Sequence, residues 1–194
     1  MLETFRQFTN RVADLSAEEA LTMMEAFTKV VHIPKKEHWF MEGQRTDEVA
    51  FVLRGLLRSY YIKPNGEDLT ANFFFAPVIT GDITANITHQ PTRLNFQALE
   101  DTELRVAKWE TLQQLGNQNP FVWKFFARYF QQIYMFSHQN QISQIYDTPT
   151  ERYLKLFDLR PKVMEQIPQH YIASYLGIKP ESLSRIRKRL AARK

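Results

Sequence analysis

The amino-acid sequence predicts an α+β protein: an N-terminal β jelly roll, one long helix and a C-terminal helix-turn-helix. Three observations point to this class. Residues 31–109 are rich in β-branched and aromatic residues, and glycines interrupt them at short intervals. Residues 121–146 then contain neither glycine nor proline. The last 34 residues place apolar side chains at helical spacing among basic ones.

The composition is that of a folded chain without thiol chemistry. Hydrophobic residues make up 44% of the 194 residues and aromatic residues 13%, which is enough for a buried core. The chain has no cysteine, which excludes disulfides, iron–sulfur clusters and a thiol nucleophile. Its first residues lack the apolar core of a signal peptide, and no apolar run is long enough for a membrane span. We therefore expect a cytoplasmic protein with no membrane partner.

A helix and a hairpin turn are the clearest local signals in the first predicted domain, residues 1–118. Residues 16–30 predict a helix, since Ser16 and Glu19 have the spacing of a capping box. Lys63–Gly66, with the sequence KPNG, predicts a hairpin turn between two strands. Several short strands with turns between them favour a sandwich or jelly-roll barrel.

The longest predicted helix covers residues 119–147 and follows a short helix at 110–117. Asn119 is a candidate N-cap, and Pro120 suits the first helical position. One barrel face can bury only part of the aromatic residues of this helix, so we predict a homodimer along it. The alternative is a core helix in a monomer. The predicted dimer stripe, with coiled-coil-like spacing, is Phe126, Tyr129, Ile133 and Phe136.

Positive charge is concentrated at the C-terminal end of the chain. Residues 161–194 carry eight basic and two acidic side chains, a net charge of +6. The other 160 residues carry 17 basic and 19 acidic side chains, a net charge of −2. A basic patch on one small unit is typical of nucleic-acid binding, and the alternative is a solvated basic tail.

The third predicted domain, residues 148–194, contains the apolar pattern of a helix-turn-helix within residues 169–188. Gly177 can adopt the left-handed conformation that ends a helix, and Pro180 can open the next one. The alternative is a structural helical hairpin that binds nothing. The positions that fit the pattern are Ile172, Ala173, Leu176, Gly177, Ile178, Leu183 and Ile186.

The second helix of this pattern, about residues 180–191, carries a polar and cationic outer face suited to the major groove. We expect Arg185 and Glu181 to reach base edges, since arginine pairs with guanine and glutamate accepts from cytosine. Most other members of the set are expected to contact phosphates, including Gln169 at the start of the first helix. The predicted DNA-binding residues are Gln169, Lys179, Pro180, Glu181, Ser182, Ser184, Arg185, Arg187, Lys188 and Arg189.

The stretch IASYLGIKPESLSRIRKRL, after a β-rich domain and a long helix, resembles the Crp/Fnr family of bacterial transcription regulators. Glu181, Ser182, Leu183 and Arg185 match the family's recognition-helix pattern, whereas Pro180 stands where the family often has arginine. The resemblance implies a cyclic-nucleotide-binding-like sensor domain and a homodimer on double-stranded DNA. It also implies a small-molecule effector and RNA polymerase as further partners.

The family's DNA-binding module normally continues into a β-hairpin wing after the recognition helix. This sequence ends at Lys194. We therefore expect the wing contacts to be absent, or to be replaced by Arg193 and Lys194.

The resemblance also places an effector pocket in the stretch GDITANITHQPTRLNFQALED. Gly81 and Asp82 stand for the family's Gly-Glu, and Thr92 occupies its arginine position with Arg93 one residue late. A one-residue slip along a strand turns the side chain to the other face, which argues against cyclic AMP. The pocket would then hold another ligand or none. The predicted pocket residues are Gly81, Asp82, Ile83, Thr84, Thr92 and Arg93.

Two other classes of function remain as alternatives. One is a metal enzyme on a cupin-type jelly roll, but the histidines form no His-x-His pair with a nearby glutamate, and no phosphate loop or nucleophile elbow is present. We predict no catalytic residue, no metal ligand and no certain cofactor. The other is a dimeric adaptor, or a ligand-binding jelly-roll protein, that does not bind DNA. The histidines are His32, His38, His89, His138 and His170.

Overall fold

Two four-stranded sheets form the β part of the chain in a computed structural model that describes residues 1–159 and 166–192. One sheet has the strand order β1-β8-β3-β6 and the other the order β2-β7-β4-β5. The predicted β-rich domain is thereby confirmed. The strands are β1 (Lys29–Ile33), β2 (His38–Phe40), β3 (Glu48–Arg54), β4 (Leu56–Ile62), β5 (Asp68–Phe75), β6 (Val78–Thr80), β7 (Asn95–Ala98) and β8 (Thr102–Lys108).

In sequence order, two helices precede the strands, one short helix follows β6, and the other helices follow β8. In the described residues the helices are α1 (Leu2–Val12), α2 (Ala17–Glu25), α3 (Ile83–Thr88), α4 (Trp109–Gln118), α5 (Pro120–Tyr146), α6 (Pro149–Leu159), α7 (Gln169–Tyr175) and α8 (Pro180–Ala191).

The chain divides into two compact units that do not follow the predicted boundaries at 118 and 147. The first consists of residues 1–59 and 73–133, and the second of residues 60–72 with the described part of 134–194. Residues 60–72, the distal half of the β4–β5 hairpin, are called the hairpin segment below. Helix α5 contributes to both units, so it is not a separate domain.

Helix α1 is an element that sequence analysis did not predict. Phe5 and Phe8 are its buried apolar side chains, and they pack on Phe51 of β3 with ring centroids 4.9 and 5.7 Å apart. The helix has no side-chain cap at its N-terminus. Its stability therefore comes from packing against the rest of the first unit rather than from an N-terminal cap.

Helix α2 begins as predicted and ends earlier. The Ser16 hydroxyl accepts from the Glu19 backbone N–H at 3.1 Å, and the Glu19 carboxylate accepts from the Ser16 N–H at 2.8 Å, which completes a capping box. The helix ends at Glu25 rather than at residue 30. Lys29–Ile33 instead pairs with β8 in an antiparallel ladder, because Val30 and Val31 fit a strand.

The predicted KPNG turn is present between β4 and β5. Gly66 has a φ of +83°, a conformation that glycine adopts at no steric cost. The Lys63 N–H donates to the Glu67 carbonyl at 2.9 Å, and the Gly66 N–H donates to the Lys63 carbonyl at 2.8 Å. The hairpin segment is thus closed by local hydrogen bonds.

The first half of helix α5 belongs to the core of the first unit. Phe126 and Tyr129 are only 1% and 8% exposed, and the Tyr129 hydroxyl donates to the Ile79 carbonyl at 2.5 Å. These two positions of the predicted dimer stripe therefore face the chain's own barrel, which corrects the prediction there. Ile133 is exposed and Phe136 is half-buried.

The junction of α4 and α5 is also only partly as predicted. Pro120 does occupy the first position of α5. Asn119, however, directs its side-chain amide back to the Leu115 carbonyl at 3.2 Å. The Asn119 backbone N–H donates to the same carbonyl at 2.8 Å, so Asn119 closes the end of α4.

Candidate nucleic-acid interface

The turn between α7 and α8 is fixed by a Schellman motif centred on Gly177. The Ile178 N–H donates to the Ala173 carbonyl at 3.0 Å, and the Gly177 N–H donates to the Ser174 carbonyl at 3.1 Å. Gly177 has a φ of +67°, in the left-handed region. The glycine thus ends α7 and sets the direction in which the chain enters α8.

The facing sides of α7 and α8 form a closed apolar contact. Ile172, Ala173 and Leu176 on the first helix are buried, as are Leu183 and Ile186 on the second. Ile178 in the turn is only partly buried. The basic C-terminal segment is therefore a docked helix as far as Ala191, rather than a solvated tail. Arg193 and Lys194, the predicted substitutes for a wing, lie outside the described residues.

Helix α8 begins at the proline that the sequence placed there. Lys179 is extended, with φ −74° and ψ 148°, as expected for a residue before proline. Pro180 occupies the first helical position, where the missing N–H costs nothing. The N-terminal end of α8 therefore follows the turn directly.

Most of the predicted DNA-binding residues lie on the outward side of α8 or beside it. Apolar contacts hold Leu183 and Ile186 on one side, and the charged residues spaced at i, i+4 and i+7 lie on the other. Sequence spacing and structure agree on which face points outward. Of the ten predicted residues, Gln169, Lys179, Pro180, Glu181, Ser184, Arg185, Lys188 and Arg189 are exposed, and Ser182 and Arg187 are partly buried.

Two arginines on this face differ in how firmly they are held. Arg185 donates to the Ser182 hydroxyl at 3.4 Å, a long contact within its own helix. Arg189 donates to the Thr150 hydroxyl at the start of α6 at 2.5 Å. Arg185 can therefore turn toward a ligand at little cost, whereas Arg189 is already engaged by the protein.

The corner between α5 and α6 is closely hydrogen bonded. Thr148 caps α6 in a capping box with Glu151. The Asp147 carboxylate accepts from Lys155 at 2.6 Å and from the Ser143 hydroxyl. These two hydrogen bonds, that from Lys155 first, lower the pKa of Asp147 below its ordinary value.

In the predicted effector pocket, the side chains of Asp82 and Thr92 are hydrogen bonded to each other. The Asp82 carboxylate caps α3 by accepting from the Ala85 N–H at 3.0 Å, and its other oxygen accepts from the Thr92 hydroxyl at 2.6 Å. Both side chains are buried. Their polar groups therefore satisfy one another and the backbone of α3, rather than lining an open phosphate site.

The remaining pocket residues do not complete a cradle for an anion. Arg93 and Thr84 are exposed, and Gly81 and Ile83 are half-buried. Thr92 and Arg93 precede β7 instead of lying on it, so the argument from strand alternation does not apply to them. The buried position holds the threonine, and the arginine lies at the surface.

A buried cation in the barrel was missed by sequence analysis. Arg58 on β4 is almost fully buried and donates to the Gln97 amide oxygen at 3.1 Å. Burial, followed by the charge of Arg58, lowers the pKa of His38 below its ordinary value. Nothing in the local sequence "LLRSYY" distinguishes this arginine from a surface residue.

The part of the chain that the structure describes shows neither a metal site nor a membrane-spanning helix. Within residues 1–159 and 166–192, no group of three or more histidine, aspartate or glutamate side chains is placed to hold a metal. In the same residues, no helix is both long enough and apolar enough to cross a membrane.

Comparison with known proteins identifies the β part. Residues 30–119 match the family model of the cyclic nucleotide-binding domain, so this segment is similar to domains of that type. Helices α4 and α5 follow its strands. No curated protein sequence matches the chain.

Solved structures share the fold over most of the chain. CLP of Xanthomonas campestris, a c-di-GMP-responsive global regulator, is 17% identical with a TM-score of 0.73, over 89% of this chain and 92% of CLP. FixK2 of Bradyrhizobium japonicum is 20% identical with a TM-score of 0.69, over 85% of each chain. The catabolite activator protein of Thermus thermophilus is 19% identical with a TM-score of 0.60, over 93% of this chain and 86% of that protein. At these identities the similarity establishes the fold.

Proposed function

We propose that the chain is a DNA-binding transcription regulator of the Crp/Fnr type, in which α7 and α8 form a helix-turn-helix and α8 enters the major groove. One observation carries the proposal. Helix α8 is docked through Leu183 and Ile186 while Glu181, Arg185 and Lys188 remain exposed on its other side. A docked helix with a cationic outer stripe has the shape and charge that the major groove accepts. The fold similarity to CLP and FixK2 supports it.

The division of roles on this face follows from how each side chain is held. Arg185 and Glu181 are exposed and close to the N-terminal end of α8, the part that contacts base edges in this class of motif. Lys188 lies one turn further along and contacts phosphate in the proposal. Arg189 would first have to release Thr150, so we assign it a smaller share of the phosphate contacts than Lys188.

We place the homodimer face on the second half of α5. Tyr134 and Ile145 are 65% and 75% exposed, and Met135 and Ile142 are also large exposed apolar residues. Met135, His138, Ile142 and Ile145 follow one another at steps of three, four and three, the spacing of a helix–helix seam. Ile133 and Phe136 of the original stripe lie at the beginning of this half. Two copies joined in this way would present two recognition helices to a palindromic site.

We propose further that cyclic AMP is not the effector. The carboxylate that would bind a ribose hydroxyl is occupied by Thr92 and α3, and the arginine that would bind the phosphate lies at the surface. A different small molecule in the domain, and contact with RNA polymerase, remain parts of the proposal that rest on the resemblance alone. The activity would take place in the cytoplasm, where the DNA is.

In-vitro selection from random double-stranded DNA with the full-length protein tests the proposal. We expect a palindromic site to be enriched, with half-site centres about 34–36 Å apart, and with the same result in the presence of cyclic AMP. Binding to the enriched site should weaken steeply with salt. Failure to enrich any sequence, or an affinity independent of salt, would overturn the proposed function and favour a protein-binding adaptor.

A further inference from the structure

The last turn of α7 is hydrogen bonded to the hairpin segment. The Ser174 hydroxyl accepts from the Thr70 backbone N–H at 2.9 Å and donates to the Asp68 carbonyl at 3.0 Å. These partners lie at the start of β5, within the same compact unit as α7. One side of the turn that precedes Gly177 is thereby fixed to a β-strand.

Tyr175 and Leu176, the two residues after Ser174, are hydrogen bonded to α5 and α6. The Asn140 amide on α5 donates to the Tyr175 hydroxyl at 3.1 Å. The Arg152 guanidinium on α6 donates to the Leu176 carbonyl at 3.1 Å. Three consecutive residues therefore contact three different elements, and we call Ser174–Leu176 with these partners the α7 junction.

Arg152 connects the junction to the end of the long helix. Its second terminal nitrogen donates to the Asp147 carbonyl at 2.8 Å, immediately after α5. Asp147 is itself held by Lys155 and Ser143. One guanidinium thus spans from the corner between α5 and α6 to the carbonyl that precedes Gly177.

A cavity of about 690 Å³ adjoins the same residues. Its lining includes Asn140, Arg152, Tyr175 and Leu176. A close-packed interface fixes its geometry through many van der Waals contacts, and a cavity removes part of them. The directional hydrogen bonds of the α7 junction therefore take a larger share in setting the orientation of the turn than they would at a close-packed interface.

We propose that Asn140 and Arg152 are positioning residues that fix the direction of α8 relative to the second half of α5, and thereby the spacing of the two DNA half-sites. The inference rests on the proposed function. Neither residue lies on the outward face of α8; both act through the turn that leads into it. Because α8 has 12 residues and is roughly 18 Å long, a rotation of about 10° at the turn moves its far end by roughly 3 Å, close to the rise of one base pair.

The test measures binding of the full-length protein to DNAs that carry the selected half-sites at the preferred spacing, and at spacings one and two base pairs longer or shorter. For Asn140→Ala and Arg152→Gln we expect the ratio of affinities between preferred and altered spacings to fall about fivefold per lost hydrogen bond. The slope of affinity against salt should stay at the wild-type value, because no phosphate contact is removed.

Two further variants sharpen the result. Gln141→Ala removes an exposed amide from the same helix and should leave the spacing ratio unchanged. Arg152→Lys keeps the charge and can reach one of the two carbonyls, so it should restore part of the ratio. Thermal unfolding of each variant shows whether it is folded; if Arg152→Gln is not, Asn140→Ala still decides the question.

Different results would contradict the positioning inference and the proposed DNA-binding function. An equal loss of affinity at every spacing would mean a merely structural role and would overturn the positioning inference. So would unchanged ratios in Asn140→Ala and Arg152→Gln when the wild type discriminates spacings. If the wild type itself enriches no DNA, the proposed function fails and the positioning inference fails with it.

Discussion

At the scale of single residues, the proposed interface depends on which side chains of α8 are available to a ligand. Arg185 has only a long hydrogen bond to Ser182, while Arg189 is bound by Thr150. Sequence spacing placed both on a cationic helix and gave no sign that the protein itself already binds Arg189. The difference arises from α6, whose position relative to α8 is a tertiary property.

Replacing Arg185 by alanine is expected to reduce discrimination between bases. A bidentate arginine–guanine pair contributes about 1–3 kcal/mol of discrimination, so the preference for one base at one position of the site should largely disappear. Repeating the in-vitro selection with Arg185→Ala measures this as a flattened base preference. An unchanged selected site would show that Arg185 does not contact a base.

Replacing Lys188 by alanine is expected to weaken binding to all sequences alike. Loss of one phosphate contact should reduce the slope of log affinity against log salt by about 0.9. Titrations of specific and non-specific DNA at several salt concentrations measure the slope. Asp158→Asn, an exposed change on α6 that makes the net charge more positive, serves as a control and should leave the slope unaltered.

At the scale of elements, the sequence predicts a structure correctly where that structure depends on residues close together in the chain. The capping box of α2, the KPNG turn and the apolar pattern of α7 and α8 each depend on neighbours in the chain. Helix α1 lacks a capping signal of that kind, and the helical spacing of its apolar residues Leu2, Phe5, Phe8 and Val12 was not recognised in the sequence. Phe126 and Tyr129 were assigned to a dimer because a stripe that packs on the chain's own barrel has the same spacing as one that packs on a second copy.

The candidate site likewise has features that local sequence predicts and features that depend on contacts between distant elements. The outward face of α8 follows from helical periodicity, so its residues could be named from the sequence. The hydrogen bonds of Asp82 with Thr92, and the burial of Arg58, depend on contacts between elements far apart in sequence. No periodic pattern encodes contacts of that kind.

Gly177→Ala is expected to destabilise the turn between α7 and α8 by about 1–2 kcal/mol, the cost of a left-handed backbone for an L-residue. Among the residues that the structure describes, a Cβ atom there would meet only the Gln144 side-chain oxygen at 3.8 Å, an ordinary contact, so strain rather than a clash sets the cost. Gly177→Asn should cost less, since asparagine tolerates this conformation. Denaturant unfolding measures both, and equal stability of wild type and Gly177→Ala would contradict the expectation.

At the scale of the whole molecule, the proposal requires two copies of the chain. The exposed second half of α5 offers the apolar surface for this, and the buried first half does not. The proposed dimer face lies on the second half of α5, which also carries Asn140 of the α7 junction. Dimerisation and the direction of α8 are therefore expected to depend on one another.

Ile145→Glu is expected to convert a dimer into a monomer, because it places two like charges in the seam. Analytical ultracentrifugation over a range of concentrations measures the change. Ile87→Glu, at an exposed isoleucine of α3, is the matched control and should leave the oligomeric state as it is. A wild-type chain that remains monomeric at every concentration would rule out this dimer face.

The hydrogen bonds of Ser174 to Asp68 and Thr70 also affect the order in which the chain folds. They join residues 106 and 104 positions apart. Such distant contacts carry a large loop-closure cost and tend to form late. During synthesis from the N-terminus, the hairpin segment emerges long before its partner on α7. The second unit can therefore be completed only after α7 has been made, which should make it fold after the first unit.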